Sequence, residues 1–329
     1  MNLGTVLTRF LLIAGLSGLM GCSSLNAGGS PGSGNLGPEK NAPQIVEVST
    51  GQAIDFKALT ERLAAHSIIL LGEFHDNAHH HRARARLIEA LGQARKSQEP
   101  FQLVVEQLAM GSSVSPNTTG PTEALLAQLK EAGFQDKAWG WPLHEPVFRA
   151  ALSQGMAVHG GNLVPGQSMK LFQQGESALP EKLQGLLAKA SLPAPNLQAL
   201  DKALVDGHCG QLPDAMLKPM RLVQRATDLS LLVAATEHKA TIVIAGNGHV
   251  RKDFGIPSLL PALKTSPKLV TVGFLESDPS AKAGQSGGTA SDGQAHHGAV
   301  VYDFIWLTPP AEREDPCKGF QMPKRSPSK

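Results

Sequence analysis

Two distant stretches of this chain end in the same way: Ile68 to Leu71 runs into Gly72-Glu73-Phe74-His75, and Ile242 to Ala245 runs into Gly246-Asn247-Gly248-His249. Each is a short apolar run followed by Gly-x-x-His. Histidine ligates borderline metals and haem iron and moves protons near neutral pH, so the pair implies a site for a metal, a haem or a catalytic reaction. Glu106 closes a third apolar run that begins at Phe101. Together Glu73, His75, Glu106 and His249 offer two nitrogen and two carboxylate donors, enough for a catalytic zinc that needs about three protein ligands and an open position. As catalytic groups, one carboxylate would act as general base on a metal-bound water, or His75 and Glu73 would run acid–base hydrolysis without metal. The competing reading makes Glu106 and His249 a buried hydrogen-bonded pair that shapes the sheet edge.

Groups this far apart in sequence meet only if the segments carrying them end side by side. Short, β-branched apolar runs closed by Gly and followed by helical periodicity are the pattern of buried parallel strands, and in such sheets ligands bind beyond the carboxyl ends. The pattern predicts strands over 67–72, 101–106, 157–162, 241–245, 269–274 and 300–305, and helices over 55–65, 77–96, 121–132, 145–154, 180–190 and 213–239. The expected fold is therefore α/β, one domain with a mostly parallel sheet and helices on both faces. Four strands end in a polar or titratable group: Glu73 with His75, Glu106, Asn162, and Asn247 with His249. His79-His80-His81 opens the helix after the first of them, and three consecutive histidines cannot all face one pocket.

The N-terminus sets the compartment. Arg9 precedes an apolar stretch, Phe10 to Met20, too short to span a bilayer, which reads as a signal peptide over 1–21. Leu19-Met20-Gly21-Cys22 resembles the lipobox of bacterial lipoproteins, with Cys22 as the lipidated residue. Residues 22–43 are rich in Gly, Ser, Pro and Asn and read as a disordered tether. Residues 44–317 form the domain, with a low-complexity loop over 278–298 and a tail over 318–329. Two of the three cysteines, Cys209 and Cys317, remain in the mature body; in an oxidising compartment such a pair most often forms a disulfide, the alternative being that Cys209 beside His208 is a ligand or nucleophile. A net charge of +2 over 329 residues leaves no nucleic-acid footprint. No Gly-x-Ser-x-Gly stands at a strand-to-helix elbow, its two matches (28–32 and 284–288) falling in the tether and the low-complexity loop, and there is no His-Glu-x-x-His helix, which excludes the usual serine hydrolases and zincins.

In order along the chain, Leu71-Gly72-Glu73-Phe74-His75-Asp76-Asn77, His80-His81, Val105-Glu106, Trp139 to Pro142, His159 to Asn162, His208-Cys209-Gly210 and Ala245-Gly246-Asn247-Gly248-His249-Val250-Arg251 resemble the ChaN-like family of bacterial lipoproteins. That family sits in a wider group with Tiki-type proteases and erythromycin-esterase-like proteins. The resemblance covers about residues 44–317. It implies haem binding in iron uptake, by a homodimer that holds haems face to face with tyrosine as the iron ligand.

This chain departs from that pattern. Its one tyrosine, Tyr302, falls by alternation in a strand, and His144 stands two residues before Pro146, where family members often carry Tyr. His144, Tyr302, Trp141, Arg251 and His80 are accordingly the expected haem-binding residues, with Trp139, Phe134 and Phe148 as further apolar wall and Lys252 as a further cation for propionates. The expected setting is a periplasm-facing outer membrane, since Ser23 follows Cys22 in place of aspartate, with an outer-membrane haem receptor as partner. The rival is a metal-dependent hydrolase, because the two Gly-x-x-His motifs with Glu106 resemble the metal-binding pattern of the Tiki-type proteases. A binding module for another small ligand is the third class.

Overall fold

The computed structural model describes residues 44–95, 99–116, 120–277 and 300–320. The signal peptide (1–21), Cys22 and its tether (22–43), the loop 278–298 and residues 321–329 of the tail lie outside the described residues. Strands β1 (Gln44–Glu47) and β2 (Gln52–Ile54) form a hairpin, followed by α1 (Phe56–Ala64). Then come β3 (Ile68–Leu71), α2 (Ala78–Ala94), β4 (Gln102–Ala109), β5 (Ser113–Val114), α3 (Thr122–Glu131), α4 (Glu145–Ser153), β6 (Val158–Asn162), α5 (Gln167–Gln174), α6 (Ala194–Asp206) and α7 (Asp214–Thr236). Strand β7 (Thr241–Ile244), the single turn α8 (Asn247–Val250), β8 (Leu269–Glu276) and β9 (Phe304–Thr308) complete the described elements.

All nine strands share one sheet in the order β2-β1-β9-β8-β3-β7-β4-β6-β5. The six from β9 to β6 are parallel, and β1, β2 and β5 add antiparallel edges. This is the mostly parallel α/β sheet that the sequence implies. Strand β7 lies between β3 and β4, with Ile244 level with Leu71 on one side and Val105 on the other. The turns that follow these three strands therefore open next to one another.

Alternation then decides which face each side chain joins. Ile69, Leu71, Leu103, Val105, Ile242 and Ile244 pack under α1 to α4. Ile68, Leu70, Val104, Val243 and Ala245 pack on the opposite face, with Val223, Ala226 and Leu229 of α7. Both faces are dry, which is why these strands read as continuous apolar runs.

Some expected elements differ. Strand β4 continues past Glu106 to Ala109. The helix over 180–190 is absent: Gly185, at φ +69°, separates two single 3-10 turns, Glu181–Leu183 and Leu187–Lys189. The last strand begins at Phe304 rather than Val300, because the Asp303 carboxylate accepts from the backbone N–H (2.9 Å) and hydroxyl (3.1 Å) of Thr271 and ends the pairing there. Tyr302 is thus a loop residue. Helices α5 and α6 and strands β1, β2 and β5 were not evident from the sequence.

Cys209 and Cys317 are joined in a disulfide across a sequence separation of 108 residues. The reading of Cys209 as ligand or nucleophile falls away. Between β9 and this bond, Ala311 N–H donates to Glu276 (2.9 Å), and Arg313 binds both Glu276 (Nη1–Oε2, 2.9 Å) and Asp76 (Nη2–Oδ1, 2.8 Å). The segment after the last strand is thereby strapped over the β3–α2 turn. Among the described residues, no helix is long and apolar enough to cross a membrane.

Candidate functional site at the ends of three strands

The two Gly-x-x-His turns interlock. A Cβ on Gly72 would collide with the Asn247 side chain and come 2.9 Å from Val250 Cγ2, while a Cβ on Gly246 would lie 3.2 Å from His75 Nε2 and 3.8 Å from Glu106 Oε2. Each glycine makes room for a residue of the other motif. Asn247 fixes the junction: its N–H donates to Glu73 O (3.0 Å), its Nδ2 to Phe274 O (2.6 Å), and its Oδ1 accepts from Phe274 N–H (3.2 Å).

Glu73 continues the alternation of Ile69 and Leu71 and so faces α2 and α4, whereas Glu106 continues that of Val104 and faces α7. The result is two carboxylate–imidazole pairs on opposite faces that meet across Gly246. Buried Glu73 accepts from His75 Nδ1–H, from buried Arg84 of α2, from Gln107 Nε2 (3.1 Å) and at longer reach from His144 Nε2 (3.4 Å). Burial would raise its pKa, but Arg84, then His75 and His144, hold it well below the usual carboxylate range. His75 shifts upward: burial pulls it down and the Glu73 carboxylate more than restores it. With its Nδ1 on Glu73, His75 presents Nε2 to the space above Gly246, its side chain 19% exposed.

On the other face, Glu106 accepts from Gly246 N–H (2.8 Å) and lies 3.3 Å from His249 Nε2, while His249 Nδ1–H donates to Asp228 of α7 at 2.5 Å. Burial is outweighed by His249, then by His75 and the Gly246 N–H, and Glu106 falls to about 2. His249 goes the other way: burial disfavours the imidazolium, yet Glu106 and Asp228 on its two nitrogens raise it well above the ordinary value. Asp228 itself is raised, chiefly by burial.

Of the three consecutive histidines, His79 is partly exposed and the other two are buried. Asn77 caps α2, its Oδ1 accepting from His79 N–H (2.8 Å) and His80 N–H (3.3 Å). His81 is a neutral support, donating from Nε2 to His75 O (2.9 Å) and accepting Arg84 Nη2–H at Nδ1 (2.6 Å). His80 accepts Phe74 N–H at Nδ1 (2.9 Å), and burial, with Arg84 adding to it, pushes its pKa down to about 3.

The structure brings Glu73, His75, Glu106 and His249 into one site and distributes the expected haem residues around it. His144 is the N-cap residue of α4, but its ring is 1% exposed and packs on His81 with centroids 4.2 Å apart. Tyr302 is fully buried and donates to Asn247 O (3.2 Å). Arg251 is buried against Asp253 (2.7 Å) and the Phe254 ring, and Lys252 pairs with Asp303 (2.6 Å). Trp141 lies half-buried between Phe134 and Phe148, whereas Trp139 sets its edge against His75 at 5.1 Å. Glu73, His75 and His144 each offer one donor atom within 4.8 Å of the others, in a geometry that could hold a metal; Arg84 and Gln107 already occupy both Glu73 oxygens.

Sequence reasoning missed Asp228, Arg84 and Gln224, whose Nε2 lies 2.9 Å from His249 Nδ1. The one available signal is the spacing of Gln224 and Asp228, i and i+4 on one side of α7.

A sequence profile described as haem-binding uptake, Tiki superfamily, ChaN, matches residues 59–260. Among solved structures, the chain is similar to ChaN of Campylobacter jejuni with cofacial haem bound: 20% identity over 80% of this chain and 96% of that one, TM-score 0.61, a likeness of fold. A mutant erythromycin esterase in its open conformation is 12% identical over 71% of this chain and 76% of that one, TM-score 0.36. No curated protein matches the chain.

Proposed function

The chain belongs to the ChaN family of haem-binding uptake proteins in the Tiki superfamily, and from that membership we propose that it binds haem through His75 in the service of iron or haem uptake. The observation that carries the choice of residue is the setting of His75: Nδ1–H is held by Glu73, and Nε2 faces a space that exists because residue 246 has no Cβ. A carboxylate behind an imidazole fixes the tautomer and raises the basicity of the outward nitrogen. The burial of Tyr302 and His144 supports a different iron ligand from the tyrosinate that the family resemblance implies. Bound haem supplies its own iron chemistry, while the protein orients and encloses it. Trp139 borders the face that His75 presents, and the opposite wall comes from a second protomer, in a homodimer formed on haem binding.

The proposed setting is a periplasm-facing lipoprotein, anchored through Cys22 in the outer membrane and receiving haem from a receptor there. A divalent metal held by the same Glu and His groups is the narrower alternative.

The test is a haem titration of the mature chain, read by absorbance and by mass after gel filtration. The expected result is a saturable Soret shift that survives filtration and doubles the mass. His75→Ala should weaken binding at least ~10-fold, about 1.4 kcal/mol, while His144→Ala and Tyr302→Phe keep the Soret position. Failure of the wild-type chain to retain haem would remove the proposal, and metal found by elemental analysis of that sample would favour the alternative. Gly246→Ala should also lower haem affinity at least ~10-fold with little change in urea midpoint, because the new methyl occupies the space in front of Nε2; unchanged affinity would place the iron elsewhere.

A further inference from the structure

A cavity of about 700 Å³ lies on the α7 face of the sheet, between α5, the 3-10 turn Leu187–Lys189, α6 and α7. That volume is in the range of small-molecule sites. Leu171, Phe172, Leu187 and Leu222 make its walls largely apolar. Three cations follow one face of α7 along it. Lys218 is exposed and makes no ion pair among the described residues, Arg221 is neutralised by a two-pronged pairing with Asp201, and Arg225 is 9% exposed.

Arg225 carries the argument. Its guanidinium donates to Phe254 O (3.1 Å), Ser258 Oγ (2.5 Å) and Ala190 O (2.5 Å), all neutral acceptors. Three of its five N–H donors are thus used, and no carboxylate accepts from it among the described residues, the nearby Asp228 being bonded to His249. A buried guanidinium without a bonded anion is costly unless one arrives. Glu176 also lines the cavity, but it is exposed. None of the lining residues is a His, Tyr, Cys or Met, the usual protein ligands of haem iron.

We propose that this cavity binds a long-chain carboxylate, its acyl body against the leucine and phenylalanine walls and its carboxylate on Arg225, with Lys218 at the mouth. The site is separate from the haem reading above and does not depend on it. A charge-assisted bond of this kind gives the head group its selectivity.

The test is titration of the mature chain with the fluorescent fatty acid cis-parinaric acid, followed by competition. Saturable enhancement is expected, reversed by palmitate and at least ~10-fold less readily by hexadecanol. Arg225→Gln should lose at least ~10-fold in affinity. Since a buried change can disturb folding, Ala188→Trp at an exposed lining position should abolish binding with unchanged circular dichroism. His75→Ala should leave binding intact. Absence of saturable enhancement, equal competition by hexadecanol, full binding by Ala188→Trp, or loss in His75→Ala would each overturn the proposal.

Discussion

Glu73→Ala is expected to cost about 3–5 kcal/mol of stability, the range for breaking a buried ion pair from one side. The Arg84 guanidinium is fully buried, and its Nη1 has no hydrogen-bond partner among the described residues. Without Glu73, its charge would have to be met by neutral His81 and by backbone alone. The same carboxylate orients His75 and reaches His144 and Gln107, so the β3–α2 turn would lose its common acceptor. Urea unfolding of Glu73→Ala measures the loss. The double variant Glu73→Gln with Arg84→Met should recover most of it, because replacing both partners removes the uncompensated charge. If the single variant unfolds within ~0.5 kcal/mol of wild type, then water already reaches this carboxylate and the hub is not buried in solution.

Stability should pass through a maximum near pH 6.5 and fall on both sides. His80 in the folded protein titrates at about 3, far below the ordinary 6.5, chiefly because it is buried. As pH drops from 6.5 toward 3, the unfolded chain gains a proton that the folded one refuses, and stability falls by up to about 4–5 kcal/mol. Glu106 adds to the same limb. Its folded value of about 2 against an ordinary 4.5 gives stability that is complete above 4.5 and lost as pH falls through 2, of order 3 kcal/mol. On the alkaline side the sign reverses: His249 is raised, so its contribution is complete below 6.5 and disappears as pH rises through its elevated folded value. Urea midpoints at pH 4, 6.5 and 9 test this, with both outer values expected to be lower. His80→Gln should flatten the decline between pH 6.5 and 4.5. A midpoint that rises steadily from pH 9 to pH 4 contradicts the assignment.

The strand ends that deliver Glu73, His75 and His249 were readable because a dry parallel strand is a continuous apolar run; Glu106 was found by the same sign, although β4 runs past it through buried Gln107 and Leu108 to Ala109. Their division between two faces was not readable. Parity along a strand tells which residues share a side, but not which helix covers that side, and the placing of β7 between β3 and β4 brings Gly246 onto Glu106, 140 residues away in sequence. Asp228 was hidden for a related reason. An acid in the middle of a long amphipathic helix looks solvated until the helix is seen to cross the end of a particular strand. Arg84 sits among Arg82 and Arg86 in an alternating run, and only the helix phase shows that it alone of the three is buried. His144 and Tyr302 were singled out by residue type and motif position, and only the packing shows that both side chains are internal.

The bond between Cys209 and Cys317 spans the whole connection from β8 to β9. A single peptide cleavage anywhere in 278–299 would yield two polypeptides that stay one molecule, because one cysteine lies in each. The shorter piece contains β9, which is the strand through which the β1–β2 hairpin attaches to the rest of the sheet. A nicked protein would therefore keep its N-terminal edge and its strap over the β3–α2 turn under oxidising conditions, and only a thiol reductant would let the small fragment diffuse away. Damage to this connection would stay silent until the redox environment changed.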